Sequence, residues 1–198
     1  LEGAWSGVSA LNRTYALDVV GDDASSHVSS VKGSVLLESS GNGRTRVRSP
    51  GTWSAGNGIT VGGPVDVVGS GVFTLDSDSD LDGSGTLLLA STSNLTVVSG
   101  LVSGVSVIAA DVDLLSDLSA GSASVTLQAT NRSGMRLGKS VSSGGFSVTD
   151  AELDRITTSG VLTLGGILTS SVEVDGFTYS GGAREVRVLA MKNADSSV

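Results

Sequence analysis

VGGPVDVVGSGVFTLDSDSDLDGSGTLLLASTSNLTVVSGLVSGVSVIAADVDLLSDLSAGSASVTLQATNRSGM, residues 61–135, is the stretch in which apolar residues recur most regularly, once in every twenty positions. The recurrence follows three tracks that extend to either side, namely Val47, Val67, Leu87, Val107 and Leu127; Leu75, Leu95, Leu115 and Met135; and Val61, Leu81, Leu101, Val141 and Val161. A repeat of about twenty residues is typical of stacked structural units. Three tracks in each repeat predict three inward-facing strands in each coil.

Apolar and polar residues alternate around the first track. Val105 and Val107 flank Ser106, and Val125 and Leu127 flank the next polar position, Thr126. A period of two residues indicates strands rather than helices. Equivalent strands of stacked coils would pair in parallel, about 4.8 Å apart. The sequence therefore predicts an all-β parallel solenoid with about 20 residues and three strands per coil.

The regularity of the pattern divides the chain into three parts. Residues 1–32 are predicted to form an irregular start or cap, residues 33–190 the solenoid, and residues 191–198 a polar tail. The chain begins at Leu1 and shows no signal peptide, so we expect it to be a segment of a longer chain.

Composition excludes several classes of function. The chain has 28 glycines, 2 prolines and no cysteine, which fits a turn-rich β protein without disulfides or thiol chemistry. Its net charge of -8 and its pI near 4.4 disfavour nucleic acids and anionic membranes as partners. No run of eighteen apolar residues occurs, so we expect no helix that spans a membrane.

The segment DSDSDLDG, residues 76–83, is the best candidate for a metal site. Asp78, Asp80 and Asp82, followed by Gly83, match the first half of a calcium-binding loop, in which alternate carboxylates converge on the ion. The twelfth position of that loop would be Leu89, which has no ligand oxygen in its side chain. An exposed acidic turn is therefore the favoured reading, and calcium is the only cofactor that the sequence suggests.

Other surface motifs suggest glycans. Three sequons, at Asn12, Asn94 and Asn131, permit N-glycosylation if the protein is eukaryotic and secreted. Arg44, Arg46 and Arg48 form the only positive cluster and are predicted to lie on one outer strand face. There they would meet a carboxylate-bearing glycan or an acidic neighbour. In the favoured interpretation they lie on a solvated strand face and balance nearby acids.

The sequence offers little for catalysis. A single histidine, His27, and the lack of cysteine exclude Cys/His dyads and His-rich metal sites. Polysaccharide-cleaving enzymes also use parallel β-helices, and Asp111, Asp113 and Asp117 are the best carboxylates for such a role. The equivalent positions one coil away are mainly Ser, Ala or Leu, so we predict that the protein is not an enzyme.

One segment interrupts the strand pattern. Thr149 and Glu152 have the spacing of a capping box, which predicts one or two helical turns over DAELDRI, residues 150–156. We expect this turn to form a polar outer edge with local ion pairs.

The surrounding residues 146–174 carry the pattern Phe146-x-Val148, Glu152-Leu153-x-Arg155-Ile156, Gly160-x-Leu162-x-Leu164-Gly165 and Val172-x-Val174. This pattern resembles a motif of filamentous-haemagglutinin-type β-helix proteins, which are large secreted or surface-displayed adhesins. The resemblance implies a right-handed β-helix at the cell surface or outside the cell, with an adhesive or fibre-forming role. Expected partners are further copies of the chain, other surface proteins or glycans. A carbohydrate-binding or polysaccharide-cleaving module remains the alternative.

Overall fold

The structure is a computed structural model that describes residues 15–20, 27–30, 33–37, 44–48, 51–98, 100–130, 134–138 and 145–190, with the backbone alone for 15–20 and 27–30. Nearly every regular element in this part of the chain is a strand, and every strand pair is parallel. The prediction of an all-β fold with parallel sheets is therefore confirmed.

Twenty strands and one short helix make up the described regular structure. They are β1 (Tyr15–Val20), β2 (His27–Ser30), β3 (Val35–Leu37), β4 (Arg44–Arg48), β5 (Thr52–Ala55), β6 (Ile59–Val61), β7 (Pro64–Val68), β8 (Gly71–Asp76), β9 (Thr86–Leu89), β10 (Asn94–Val97), β11 (Val102–Ala109), β12 (Asp111–Leu114), β13 (Leu118–Gly121), β14 (Ser124–Ala129), β15 (Met135–Gly138), β16 (Phe146–Val148), α1 (Asp150–Leu153), β17 (Ile156–Thr158), β18 (Val161–Gly165), β19 (Val172–Asp175) and β20 (Glu185–Leu189).

Successive strands belong to different sheets in a repeating order. Sheet A has the order β1-β4-β7-β10-β13-β17, and sheet B has the order β2-β5-β8-β11-β14-β18-β20. The third position is divided between sheet C, β12-β9-β6-β3, and sheet D, β16-β15-β19. From β1 to β12 the chain thus contributes one strand each to sheets A, B and C, in that order, four times in succession. Strands β1 and β2 fall within residues 1–32 and join sheets A and B.

The core consists of apolar columns that run through the sheets. In sheet B one column stacks Trp53, Leu75, Val107, Leu127 and Leu164, which are all buried. Trp53 also meets Phe73 edge to face, with ring centroids 5.5 Å apart. These columns form because alternate residues of every strand point to one side, as the period-two pattern predicts.

The twenty-residue tracks predict only part of this stacking. Val47 pairs with Val67 in sheet A, and Val107 pairs with Leu127 in sheet B, as the first track requires. However, Val67 pairs with Val97 rather than with Leu87, which lies in sheet C.

The second and third tracks are wrong as stacking schemes. Leu75 lies in sheet B, Leu95 lies in sheet A, and Leu115 is exposed. On the third track, Leu81 and Leu101 are also exposed. The loops differ in length from one passage to the next, so a fixed interval does not return to the same sheet.

Candidate functional site

The acidic segment forms a loop between β8 and β9. A carboxylate oxygen from each of Asp78, Asp80 and Asp82 lies within 4.8 Å of the other two. Asp80 and Asp82 are exposed, whereas Asp78 is completely buried. The structure thus brings together the three predicted ligands, although Asp78 does not lie on an exposed turn.

Backbone and hydroxyl groups hold the loop in place. The Thr130 hydroxyl donates a hydrogen bond to Asp78 Oδ2, and the Gly83 amide approaches Asp78 Oδ1 and Oδ2 at 3.3 and 3.2 Å. The Ser79 amide donates to the carbonyl of Ala55, 3.0 Å away. Leu81 adopts a positive φ of 58°, which is uncommon for a residue with a side chain. The loop is therefore bonded to β5 on one side of β8 and to Thr130, just after β14, on the other side.

The loop concentrates negative charge in a partly desolvated position. Burial raises the pKa of Asp78 above the usual 3.8, and the charges of Asp82 and Asp80 add to this effect. Burial also raises the pKa of Asp76, whose Oδ1 atom is buried without a hydrogen-bond partner among the described residues. Such a group of oxygens suits either a hard cation or a retained proton. Leu89, the residue at the twelfth loop position, is buried in the core and supplies no ligand.

The arginine cluster lies on one outer face of β4, as predicted, because the alternate residues Thr45 and Val47 are buried. Arg44 forms two hydrogen bonds with the carboxylate of Asp66, one of them from Nε to Oδ2 at 3.0 Å. Its Nη2 also donates to Asn94 Oδ1 at 3.3 Å. These contacts fit the reading of a strand face that balances nearby acids.

Only one of the three sequons falls on described residues. Asn94 opens β10 and is half-buried beside Arg44. Asn12 and Asn131 lie outside the described residues. The structure thus places Asn94 on the outer face of sheet A, next to the arginine cluster.

The three carboxylates considered for polysaccharide cleavage have different surroundings. Asp111 Oδ1 accepts hydrogen bonds from the amides of Val112 and Ser147, each 2.9 Å away, and burial raises the pKa of Asp111. Asp113 and Asp117 are exposed. The aspartates at 78, 80 and 82 form the only group of three possible metal ligands in the described part of the chain, so Asp111, Asp113 and Asp117 are not such a group.

The helix α1 makes contacts that the sequence did not reveal. The capping box is confirmed, since Thr149 and Glu152 bond reciprocally. Glu152 Oε1 also accepts from the Leu114 amide at 3.2 Å, and Arg155 donates to the carbonyl of Leu114. The expected local ion pairs are thus wrong, because both side chains bind the backbone at the end of β12.

The other side of helix α1 binds the segment of the chain that follows β19. Asp150 accepts hydrogen bonds from the amide and hydroxyl of Thr178, and Asp154 accepts the same two bonds from Ser180. The i,i+4 spacing of the two aspartates places them on one side of the helical turn. The spacing of the two aspartates was visible in the sequence. Their partners, Thr178 and Ser180, were not predictable from it, because they lie more than twenty residues further along the chain.

The raised pKa values lead to a prediction about pH. A carboxyl with a raised pKa binds its proton more tightly in the folded state, so its contribution to stability is complete below pH 3.8 and is lost as the pH rises through the folded pKa. We expect Asp78→Asn to flatten the dependence of the melting temperature on pH in the range above pH 3.8, where the folded carboxyl loses its proton. Asp113→Asn is the control at an exposed aspartate. If the melting temperature of both variants depended on pH as steeply as that of the parent chain, the buried Asp78 carboxyl would not be the source of this pH dependence.

Comparison with protein-family models, with curated proteins and with solved structures returned no significant match. Among the described residues, no helix is both long and apolar enough to cross a membrane.

Proposed function

We propose that this chain is a non-enzymatic structural or adhesive β-solenoid that works outside the cell or at the cell surface. The observation that carries the proposal is the set of buried columns in parallel sheets, of which the sheet B column is the longest. Each fully buried aliphatic side chain contributes about 1.5 to 3 kcal/mol before conformational entropy is subtracted. A stack of this kind is stiff because each coil is fixed by the coils on both sides.

The finer architecture belongs to the same proposal. We take the chain to wind as a right-handed helix of coils with three walls: sheet A, sheet B, and sheets C and D together. Crossover connections between parallel strands of one sheet are right-handed in about 98% of cases. Loops of different length, such as the one between β8 and β9, would let the coils exceed twenty residues without disturbing the walls.

The described outer faces support a display role. On sheet B the outer row contains Thr52, Thr74, Ser106, Thr126 and Thr163 on successive strands. Sheet A presents the ion pair between Arg44 and Asp66. Faces of hydroxyls and balanced charges suit contact with other surface proteins or glycans, and the resemblance to filamentous-haemagglutinin-type adhesins points the same way.

Imaging and a binding survey test this function together. Negative-stain images of the purified chain should show short rods, and a glycan array or a pull-down from a cell surface should find a ligand. The carbohydrate-cleaving alternative predicts turnover in a polysaccharide degradation assay, and turnover that Asp111→Asn abolishes would replace our proposal. Globular particles would contradict the solenoid itself.

A bound calcium ion is a second element of the proposal. The convergence of Asp78, Asp80 and Asp82 favours it, because calcium prefers carboxylate oxygens and would relieve their mutual repulsion. Because only three such side chains are in reach, the ion would need oxygens from water or the backbone to complete its six to eight ligands. The ion would then stabilise the loop between β8 and β9 rather than take part in a reaction.

Removal of calcium should therefore lower the melting temperature. Binding at a free calcium concentration about 100 times Kd would stabilise the fold by about 2.7 kcal/mol. We expect EGTA to remove this gain from the parent chain and from Asp113→Asn, whereas Asp80→Asn should melt at the same temperature with and without EGTA. A melting temperature of the parent chain that does not respond to EGTA or to added calcium would dismiss the ion.

A further inference from the structure

The third wall of the proposed solenoid is interrupted between β12 and β16. Sheet C ends at β12 and sheet D begins at β16, so no backbone ladder joins Asp111–Leu114 to Phe146–Val148, although both strands are described. Sheets A and B continue without a break through the same coils, as β10-β13-β17 and β11-β14-β18. We call the contact between β12 and β16 the seam. It lies in the interior of the described chain, with ladders on both sides of it.

The number of strands explains why the ladder stops at the seam. From β10 to β17 sheet A advances by two strands, and sheet B does the same from β11 to β18. Over these coils the third wall advances by three, from β12 through β16 and β15 to β19, because β16 follows β15 in the chain but lies between β15 and β12. Each ladder step is about 4.8 Å. The third wall therefore contains one step too many, and the seam takes up the mismatch.

Side chains bridge the seam in place of a ladder. Asp111 Oδ1 accepts a hydrogen bond from the Ser147 amide, 2.9 Å away. Glu152 Oε1 accepts from the Leu114 amide at 3.2 Å, and Arg155 donates to the carbonyl of Leu114. A side chain can follow a strand that moves, because it rotates about its own bonds, whereas a ladder fixes both backbones directly. The seam is therefore more compliant than the ladders of sheets A and B.

We propose that the seam is a hinge at which the solenoid bends. The parts before and after it swing about the continuous sheets A and B, so the third wall opens and closes while the side-chain bridges limit the movement. The inference rests on the three-walled solenoid of the proposed function and adds one preferred direction of bending to it. Bending toward sheet A or sheet B is resisted, because each coil there is bonded to the coils on both sides.

Distances between pairs of spin labels test the hinge, because the chain contains no cysteine and labels can be placed at will. Leu88→Cys on β9 and Glu173→Cys on β19 are four strand steps apart across the seam. Thr52→Cys on β5 and Thr163→Cys on β18 are the matched control, also four steps apart but within sheet B. Four ladder steps separate the control Cα atoms by about 19 Å. We expect pulsed electron paramagnetic resonance to give a distance distribution at least about twice as wide across the seam as along sheet B.

Replacement of a bridging residue provides a second measurement. Asp111→Ala removes the acceptor of the Ser147 amide, so it should widen the distribution across the seam further and leave the sheet B distribution unchanged. Asp111→Asn keeps a side-chain oxygen that can accept this bond and should restore the width of the parent chain. If Asp111→Ala did not fold, the two label pairs in the parent chain would still decide.

Equal widths for the two label pairs, or an unchanged width across the seam in folded Asp111→Ala, would overturn the hinge. Failure of the proposed scaffold is a separate result. Rods in negative-stain images together with equal widths would remove the hinge and leave the scaffold in place, whereas globular particles would remove the scaffold as well.

Discussion

Val107→Asp is expected to unfold the middle of the protein. Val107 is fully buried in β11, in register with Leu75 on one side and Leu127 on the other. An aspartate there would place an unpaired charge in an aliphatic column, a change that costs more than about 4 kcal/mol. Since whole domains are stable by about 5 to 15 kcal/mol, this loss should appear as a large drop in the denaturant midpoint measured by circular dichroism.

Ser106→Asp is the matched control for this prediction. Ser106 is the preceding residue of β11 and lies in the outer row between Thr74 and Thr126. It receives the same added charge on the solvent side, so the free energy of unfolding should change by less than about 0.5 kcal/mol. Equal losses in the two variants would mean that the inner and outer faces of β11 are wrongly assigned.

The sequence predicted the facing of strands better than their partners. Facing depends on alternation within a strand, so Val105, Val107 and Leu127 could be placed correctly from local pattern alone. Partners depend on how many residues each loop contains. The loop between β8 and β9 and the helix α1 add residues between successive strands of one sheet. An interval of twenty residues therefore holds for Val107 and Leu127, but it fails for Leu75 and Leu95, which the loop separates.

The candidate site was predictable to a similar extent. Alternation placed Asp78, Asp80 and Asp82 together, because their spacing is local. The burial of Asp78 was not predictable, since the side chain is buried against Thr130, its hydrogen-bond donor, which lies 52 residues further along the chain. The attachment of Arg155 to Leu114 was missed for the same reason, because it joins positions 41 residues apart.

Gly85→Ala is expected to disrupt the acidic loop and the strands on which it rests. A Cβ atom at this position would lie 1.7 Å from the carbonyl oxygen of Ser77 and 2.7 Å from Asp78 Cα. Both are backbone atoms, so the clash cannot be relieved by turning a side chain. Ser77 donates its amide to Ile108 and the Gly85 carbonyl accepts from Ala110, so any movement also strains these bonds. We expect a loss of about 3 kcal/mol in the free energy of unfolding, measured by denaturant titration.

Gly100→Ala separates this clash from the general effect of replacing a glycine. A Cβ atom on Gly100 would meet nothing within 4 Å. Because alanine restricts the unfolded chain more than glycine does, this variant should lose no stability and should gain up to about 1 kcal/mol. If Gly85→Ala were as stable as Gly100→Ala, Gly85 would not pack against Ser77, and the loop would be free to move away from β8. In that case Thr130 and Gly83 alone would hold Asp78 in its buried position.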